Sequence, residues 1–225
     1  MADHSKRAHA LLFAAALLSS SVAFAQERVG VAFDLWAEGS SLNGEQRINT
    51  SRIDESFTYG ALGGAANLFV LWRMDERFRL GPSLRLFGNY GGSGDRGFIL
   101  GFLSEASAAA EYALPAYEQF DAVFGARAGL GVLVPGGAFA EEIRRLQAEG
   151  VGVWSVPRPG WLAGLSIGAR RPIGGKLSLR ADLHGQYQQL LLFATDEIVD
   201  GFRFRKSWST GGIRVGFLIG AEISL

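Results

Sequence analysis

Cysteine is absent from the chain, which excludes a disulfide framework, a thiolate nucleophile and any zinc site built on cysteine. Neither sign of charge is in excess: 22 Lys+Arg stand against 22 Asp+Glu. Binding nucleic acid needs a basic face, so composition gives no case for it. Long apolar runs are also missing. No stretch reaches the ~18 residues that a transmembrane helix needs. Proline occurs only 6 times and methionine twice in 225 residues. Glycine is abundant, at 31 residues, about twice its average share and without a collagen period. With 48% hydrophobic and 20% charged residues the chain is too apolar for disorder.

Residues 1–25 read as a separate unit. Lys6 and Arg7 form a positive start, Leu11 to Leu18 an apolar core, and Ala23-Phe24-Ala25 an A-x-A cleavage site before Gln26. This is the pattern of a secretory signal peptide, and the core is about half the ~20 residues of a membrane anchor. The remaining unit, 26–225, keeps a single histidine, His184, since His4 and His9 fall in the leader.

Beyond the leader, apolar residues fall on every second position. Phe78, Leu80, Leu84 and Leu86 interleave with Arg77, Arg79, Ser83 and Arg85, and Ile213, Val215, Phe217 and Ile219 interleave with Arg214, Gly216, Leu218 and Gly220. Alternation is the strand signature, because successive side chains point to opposite faces. Eight strands are expected, at about 28–38, 56–72, 77–90, 98–114, 120–134, 160–170, 177–192 and 210–225. A change of phase near Ala61–Leu62 suggests a bulge in the second. Most are long enough for the ~9–11 residues of a membrane-spanning strand. Connections alternate between short (73–76, 115–119, 171–176) and long (39–55, 91–97, 135–159, 193–209), as in outer-membrane barrels. An even strand count places both termini on the short-turn, periplasmic side.

Aromatic residues fall at both strand ends: Trp36, Tyr59, Tyr90, Phe98, Trp161, Tyr187 and Trp208 at one, and Trp72, Phe78, Tyr112 and Phe120 at the other. Two such belts suit the interfaces of a bilayer. Gly125, Gly129, Gly131, Gly164, Gly168, Gly216 and Gly220 share the polar face of their strands. In a narrow barrel that face is inward, and small residues leave volume for charged ones.

These patterns resemble the small eight-stranded outer-membrane barrels of the OmpA transmembrane domain, OmpX and OmpW type. Gly220, Ile223 and Leu225 match the spacing of that family's C-terminal assembly signal, with Leu225 where an aromatic is usual and Leu218 where a polar residue is typical. The resemblance implies an all-β, antiparallel, up-and-down transmembrane barrel, embedded among outer-membrane lipid and lipopolysaccharide after delivery by the barrel-assembly machinery. No cofactor is expected, and His184 without clustered ligands makes no metal site.

No catalytic constellation stands out. His184 shares the inward face of its strand with Arg180, Asp182, Gln186 and Gln188, without a marked nucleophile, so an interior hydrogen-bonded role is expected. Glu105 and Glu111 are six residues apart, roughly 20 Å along a strand, too far for one reaction centre. Gly91-Gly92-Ser93-Gly94 and Gly136-Gly137 lack the lysine of a phosphate-binding loop. Phe139, Ile143 and Leu146 recur at helical spacing within 135–159, an amphipathic helix.

Opposed residues in an antiparallel hairpin have a constant index sum, so cross-strand ion pairs can be anticipated. Arg85 is expected opposite Glu105 and Arg79 opposite Glu111, around a centre at Asp95. Arg127 is expected beside Glu105, Asp121 beside Glu111 with Arg79 bridging the two carboxylates, and Arg180 opposite Glu222 around Gly201. The resulting expectation is a non-enzymatic barrel with a salt-bridged interior and a structural or surface-interaction role. Three alternatives stay open: a conduit or binding site for small hydrophobic molecules, a lipid-modifying barrel enzyme resting on His184, and a soluble, lipocalin-like periplasmic carrier with its faces reversed.

Overall fold

The computed structural model describes residues 27–93, 97–117, 119–154 and 157–225. The expected leader with Gln26, and Asp95, lie outside the described residues. Eight strands form the wall: β1 (Glu27–Ile48), β2 (Ser51–Arg73), β3 (Phe78–Gly92), β4 (Phe98–Tyr117), β5 (Phe120–Pro135), β6 (Arg158–Gly174), β7 (Leu177–Val199) and β8 (Phe202–Ser224). They pair antiparallel in sequence order and close into a ring through β1 and β8. The helix α1 (Gly137–Ala148) lies in the β5–β6 connection and buries Phe139, Ile143 and Leu146, as its spacing suggested.

The apolar alternate positions face outward. Val31 is 59% exposed, Leu165 70% and Ile219 57%, while Asp34, Arg214 and Glu222 are fully buried. This is the reverse of a lipocalin-like carrier. On β1 the outward apolar positions run from Val29 to Ala37 and give way to Gly39, Ser41 and Asn43, close to the length of strand that crosses a hydrocarbon core. Closure pairs the wall's edges, so no strand end need be left unpaired in lipid.

The segments expected as long loops at 39–55 and 193–209 are strand instead. β1 and β2 stay paired from Glu27↔Trp72 to Ile48↔Ser51, and β7 and β8 to Val199↔Phe202. Both hairpins end in tight turns, with Asn49 (φ 52°) in one, and Asp200 (φ 51°) and Gly201 (φ 82°) in the other. Residues with positive φ in two-residue turns match the twist of the flanking strands. Because β1 also pairs with β8 up to Ile48↔Phe204, the four strands β7-β8-β1-β2 rise together above the barrel as a wing. β2 joins β3 only from Ala66 to Arg73, apart from a single bridge between Gly60 and Ser93.

The expected bulge near Ala61–Leu62 is absent, since the β1–β2 register runs unbroken. The apparent change of phase arises because Ala61, Ala65, Phe69 and Leu71 are apolar yet inward-facing. Irregularities occur elsewhere. A shift between Leu86 and Gly88 (φ 68°) turns β3 over, so that Tyr90 points inward and is 1% exposed. Trp36 also faces inward, so the upper belt expected from the sequence loses both. Trp161 and Tyr187 remain outside, with ring centroids 5.2 Å apart, and Tyr112 and Phe120 remain exposed at the other end.

A charge on the outward face should register where the lipid ends. Leu183→Arg, midway along the outward stripe of β7, should cost about 2–4 kcal/mol in urea unfolding from lipid vesicles. Ile198→Arg, equally outward but on the wing, should change stability by no more than about 0.5 kcal/mol. Equal costs would mean that the apolar stripe does not face lipid.

A charged interior and an apolar upper cluster

The inward face of the ring carries arginines and carboxylates at three levels. At the short-turn end, Glu111 receives Arg79 at 3.3 Å, Arg170 at 2.6 Å and Arg180. Arg180 also meets Asp182 at 2.6 Å and Glu222 at 3.0 Å, while Arg170 holds Asp121 at 2.9 Å. Arg28 closes this group on Glu222 at 3.2 Å.

In the middle level Arg85 lies 3.2 Å from Asp34. His184 Nε2 is 2.7 Å from the other oxygen of Asp34, and Arg127 Nη2 is 2.9 Å from His184 Nδ1. A guanidinium can only donate, so Nδ1 is the acceptor and Nε2–H donates to Asp34. Both ring nitrogens are thereby committed. Ser166 sits directly opposite His184 in the register, but the imidazole has no lone pair left to activate a hydroxyl. A cavity of about 60 Å³, lined by Arg85, Arg127, Ser166, Asp182 and His184 together with apolar residues such as Phe69 and Leu165, lies beside them; it has room for water and polar groups to hold it. Gly216 is required here, because a Cβ at that position would come within 2.5 Å of His184 Nε2 and 2.8 Å of Asp34 Oδ1.

The upper level is centred on Arg214, which reaches Glu38 and Glu105, each at 2.7 Å. Gln186 donates to Glu105 at 2.8 Å, while Tyr90 (2.5 Å), Gln188 and Ser40 donate to Glu38. The guanidinium lies 4.1 Å from the Phe87 ring centroid and 4.7 Å from that of Trp36. Every charge here has a partner and the lumen is crossed by side chains.

Several anticipated pairs require correction. Arg79 and Arg85 do stand opposite Glu111 and Glu105, but Arg85 makes its ion pair with Asp34 because Arg214 occupies Glu105. The β4–β5 register is displaced by four residues: Glu105 faces Gly131, Glu111 faces Gly125, Asp121 faces Pro115 and Arg127 faces Ala109. β4 runs on to Tyr117 through an irregularity at Pro115, which moves the hairpin's centre. Asp121 therefore pairs with Arg170 rather than through Arg79, and Arg127 binds His184 rather than Glu105. In β7–β8 the turn is centred between Asp200 and Gly201 and an extra residue lies between Leu191 and Phe193, each shifting the register by one residue, so Arg180 faces Gly220 and Glu222 faces Ser178. Arg180 still reaches Glu222 diagonally, within the range of a long side chain. Asp34, Glu38, Arg170 and Arg214 were not among the anticipated partners, although Asp34 and Arg214 each occupy a polar alternate position between apolar neighbours. Gly220 faces inward, whereas Ile223 and Leu225 are exposed on the outside, and Leu225 N–H donates to Glu27 C=O at 2.9 Å.

Above Arg214 the interior becomes apolar. Leu42, Phe87, Leu100, Leu103, Leu133, Leu190 and Phe193 form one cluster with Phe139, Ile143 and Leu146 of α1, which caps the ring from above. Lys206 ties the helix down through Glu142 at 2.7 Å. Hydrogen bonds from Arg145 first, and then from Lys206, hold the Glu142 carboxyl below its ordinary range. Arg158 is 3% exposed, stacks over the rings of Phe139 and Phe193, and leaves Nε and Nη2 without a hydrogen-bond acceptor among the described residues.

Removing one member of a buried network strands the others. Arg214→Met should therefore lower unfolding stability by about 3–5 kcal/mol, and the added changes Glu38→Gln and Glu105→Gln should recover most of it. In double-mutant cycles Arg85 should show coupling to Asp34 that exceeds its coupling to Glu105. Additivity between Arg85 and Asp34 would contradict the observed pairing.

No family model and no curated protein matches the sequence. Among solved structures, the chain is similar to Neisserial surface protein A, with 14% identity, 80% of this chain and 96% of that one covered, and a TM-score of 0.40. It is also similar to the outer membrane protein OprG from Pseudomonas aeruginosa, at 8% identity, 89% and 96% coverage and a TM-score of 0.46. The outer membrane protease OmpT from Escherichia coli is a third, at 8%, 89% and 97% coverage, and 0.39.

Proposed function

We propose that the chain is a non-catalytic outer-membrane barrel that seals its own lumen and presents the wing to the cell exterior as an interaction surface. The observation that carries this reading is the opposition of faces: an apolar exterior around a buried charge network crossing the lumen. On this reading residues 1–25 are removed on export, both chain termini of the barrel face the periplasm, and Gly220, Ile223 and Leu225 engage the barrel-assembly machinery. Lipid and lipopolysaccharide surround the wall. Structural support of the envelope and display of the wing need no cofactor, and His184 serves Asp34 and Arg127 rather than a reaction.

Cell fractionation should find the protein in the outer membrane with Gln26 at its N-terminus, soluble only in detergent. In planar bilayers it should give no steady conductance. Recovery from the soluble periplasm without detergent, or a stable open channel, would overturn the proposal.

A second reading, a binding site for a small hydrophobic molecule, is favoured by the apolar cluster beneath α1 and by the acceptor-less nitrogens of Arg158. An apolar carboxylate such as octanoate would suit both. Native mass spectrometry with octanoate should show no adduct if the cluster only packs the cap. A one-to-one adduct, lost in Arg158→Gln, would establish the second reading instead.

A further inference from the structure

The outer face of the wing gathers arginines of three strands abreast. Arg205 of β8 lies directly opposite Arg47 of β1, and Arg47 directly opposite Arg52 of β2. Like charges facing each other across strands are destabilising, so the arrangement is costly to the fold unless an anion offsets it. Local carboxylates do so incompletely. Glu45 is shared between Arg47 and Arg52, and Asp54 takes Arg52 at 2.8 Å. Asp196 faces Arg205 in the register, yet both its oxygens are bound by Arg203 at 2.9 Å. Arg205 has no ion pair within 4 Å among the described residues.

The height of the row points to the ligand. On β1 the outward apolar stripe ends at Ala37, and Arg47 lies eight residues beyond Gly39. That is about 26 Å along the strand, or roughly 20 Å of height at a tilt near 40°. Lipid headgroups extend only about 5–8 Å beyond the hydrocarbon, so phospholipid phosphates lie too low. The row belongs to the same face as the lipid-facing wall, so it looks sideways onto whatever rises from neighbouring lipids.

We propose that Arg47, Arg52 and Arg205 bind phosphate groups on the core sugars of lipopolysaccharide molecules beside the barrel, which is the partner of the wing on this face. Guanidinium groups recognise phosphate by paired, charge-assisted hydrogen bonds, and a row of three can hold phosphates from one saccharide chain. The inference rests on the outer-membrane reading given above.

The test uses the full barrel in detergent, with rough lipopolysaccharide carrying a phosphorylated core as probe and binding followed by native mass spectrometry or thermophoresis. Arg47→Gln/Arg205→Gln should weaken binding about tenfold or more, and raising the salt should erase the difference. Lipopolysaccharide with a dephosphorylated core should bind wild type as weakly as it binds the variant. Retained heat-modifiable migration on gels confirms that the variant barrel is folded. Unchanged affinity in a folded variant would sink the inference, as would equal binding of the dephosphorylated core or a preference for phosphatidylglycerol vesicles or heparin. If fractionation instead recovers the chain from the soluble periplasm, the outer-membrane reading itself fails; correct partition with unchanged affinity removes only the arginine site.

Discussion

A ring of eight strands is too narrow to hold bulk water, so a charge pointed into it needs a partner within the ring: a counter-charge for most, the His184 ring for Arg127, and the faces of Phe139 and Phe193 for Arg158. The rest of the structure depends on this constraint. Six arginines (Arg28, Arg79, Arg85, Arg170, Arg180, Arg214) meet seven carboxylates (Asp34, Glu38, Glu105, Glu111, Asp121, Asp182, Glu222) in the interior network, and Arg127 binds His184. Burial of one ion alone would cost several kcal/mol, and the network removes that penalty only when complete. It also dictates the small residues: Gly168, for example, leaves the space taken by Asp182 Oδ1. Gly168 and Gly216 are thus consequences of the buried network, while Gly30, Gly44 and Gly63 leave room for the rings of Phe69, Trp208 and Trp36.

The molecule divides along its axis into regions with different solvents. Around the lower ring, lipid is outside and ion pairs are inside. In the upper ring, α1 replaces water as the cover of an apolar interior, held by Lys206–Glu142. The wing, beyond the apolar stripe, meets water on its outer face and carries the exposed charges. Rigid pairing of β1 with both β2 and β8 to their tips gives the wing the stiffness of the barrel, which distinguishes it from a mobile surface loop.

Strand positions were legible because one face of each had to be apolar against lipid and the other polar. Where that contrast fades, the sequence reads as loop. Residues 39–48 and 202–209 are strand, but Gly44 and Gln46 on the inner face of one and Lys206 on that of the other interrupt the apolar alternation. The Asp200-Gly201 pair was a hairpin signal in its own right, and it marks the observed turn. Which residues face inward was recoverable; which partner each chooses was not. A one-residue irregularity at Leu192 or Pro115, together with a turn centred away from the expected position, displaces a register by two or four residues, and nothing in the alternation records it. Three-dimensional closure also brings together residues far apart in sequence: Arg214 meets Glu105 across the lumen, not across a hairpin. Tyr90 shows the same limit, since Gly88 reverses its face.

The central claim is that apolar positions face lipid while charged ones face a sealed interior. Because the chain has no cysteine, single cysteines carrying nitroxide labels can be placed freely along β1 in reconstituted vesicles. Labels at Phe33 and Leu35 should collide readily with dissolved oxygen and hardly at all with a water-soluble nickel chelate. A label at Asn43 should show the opposite behaviour, and one at Glu38 should be shielded from both. Nickel access at positions 33 and 35 equal to that at 43 would contradict a lipid-facing wall, and nickel access at position 38 would contradict a closed lumen.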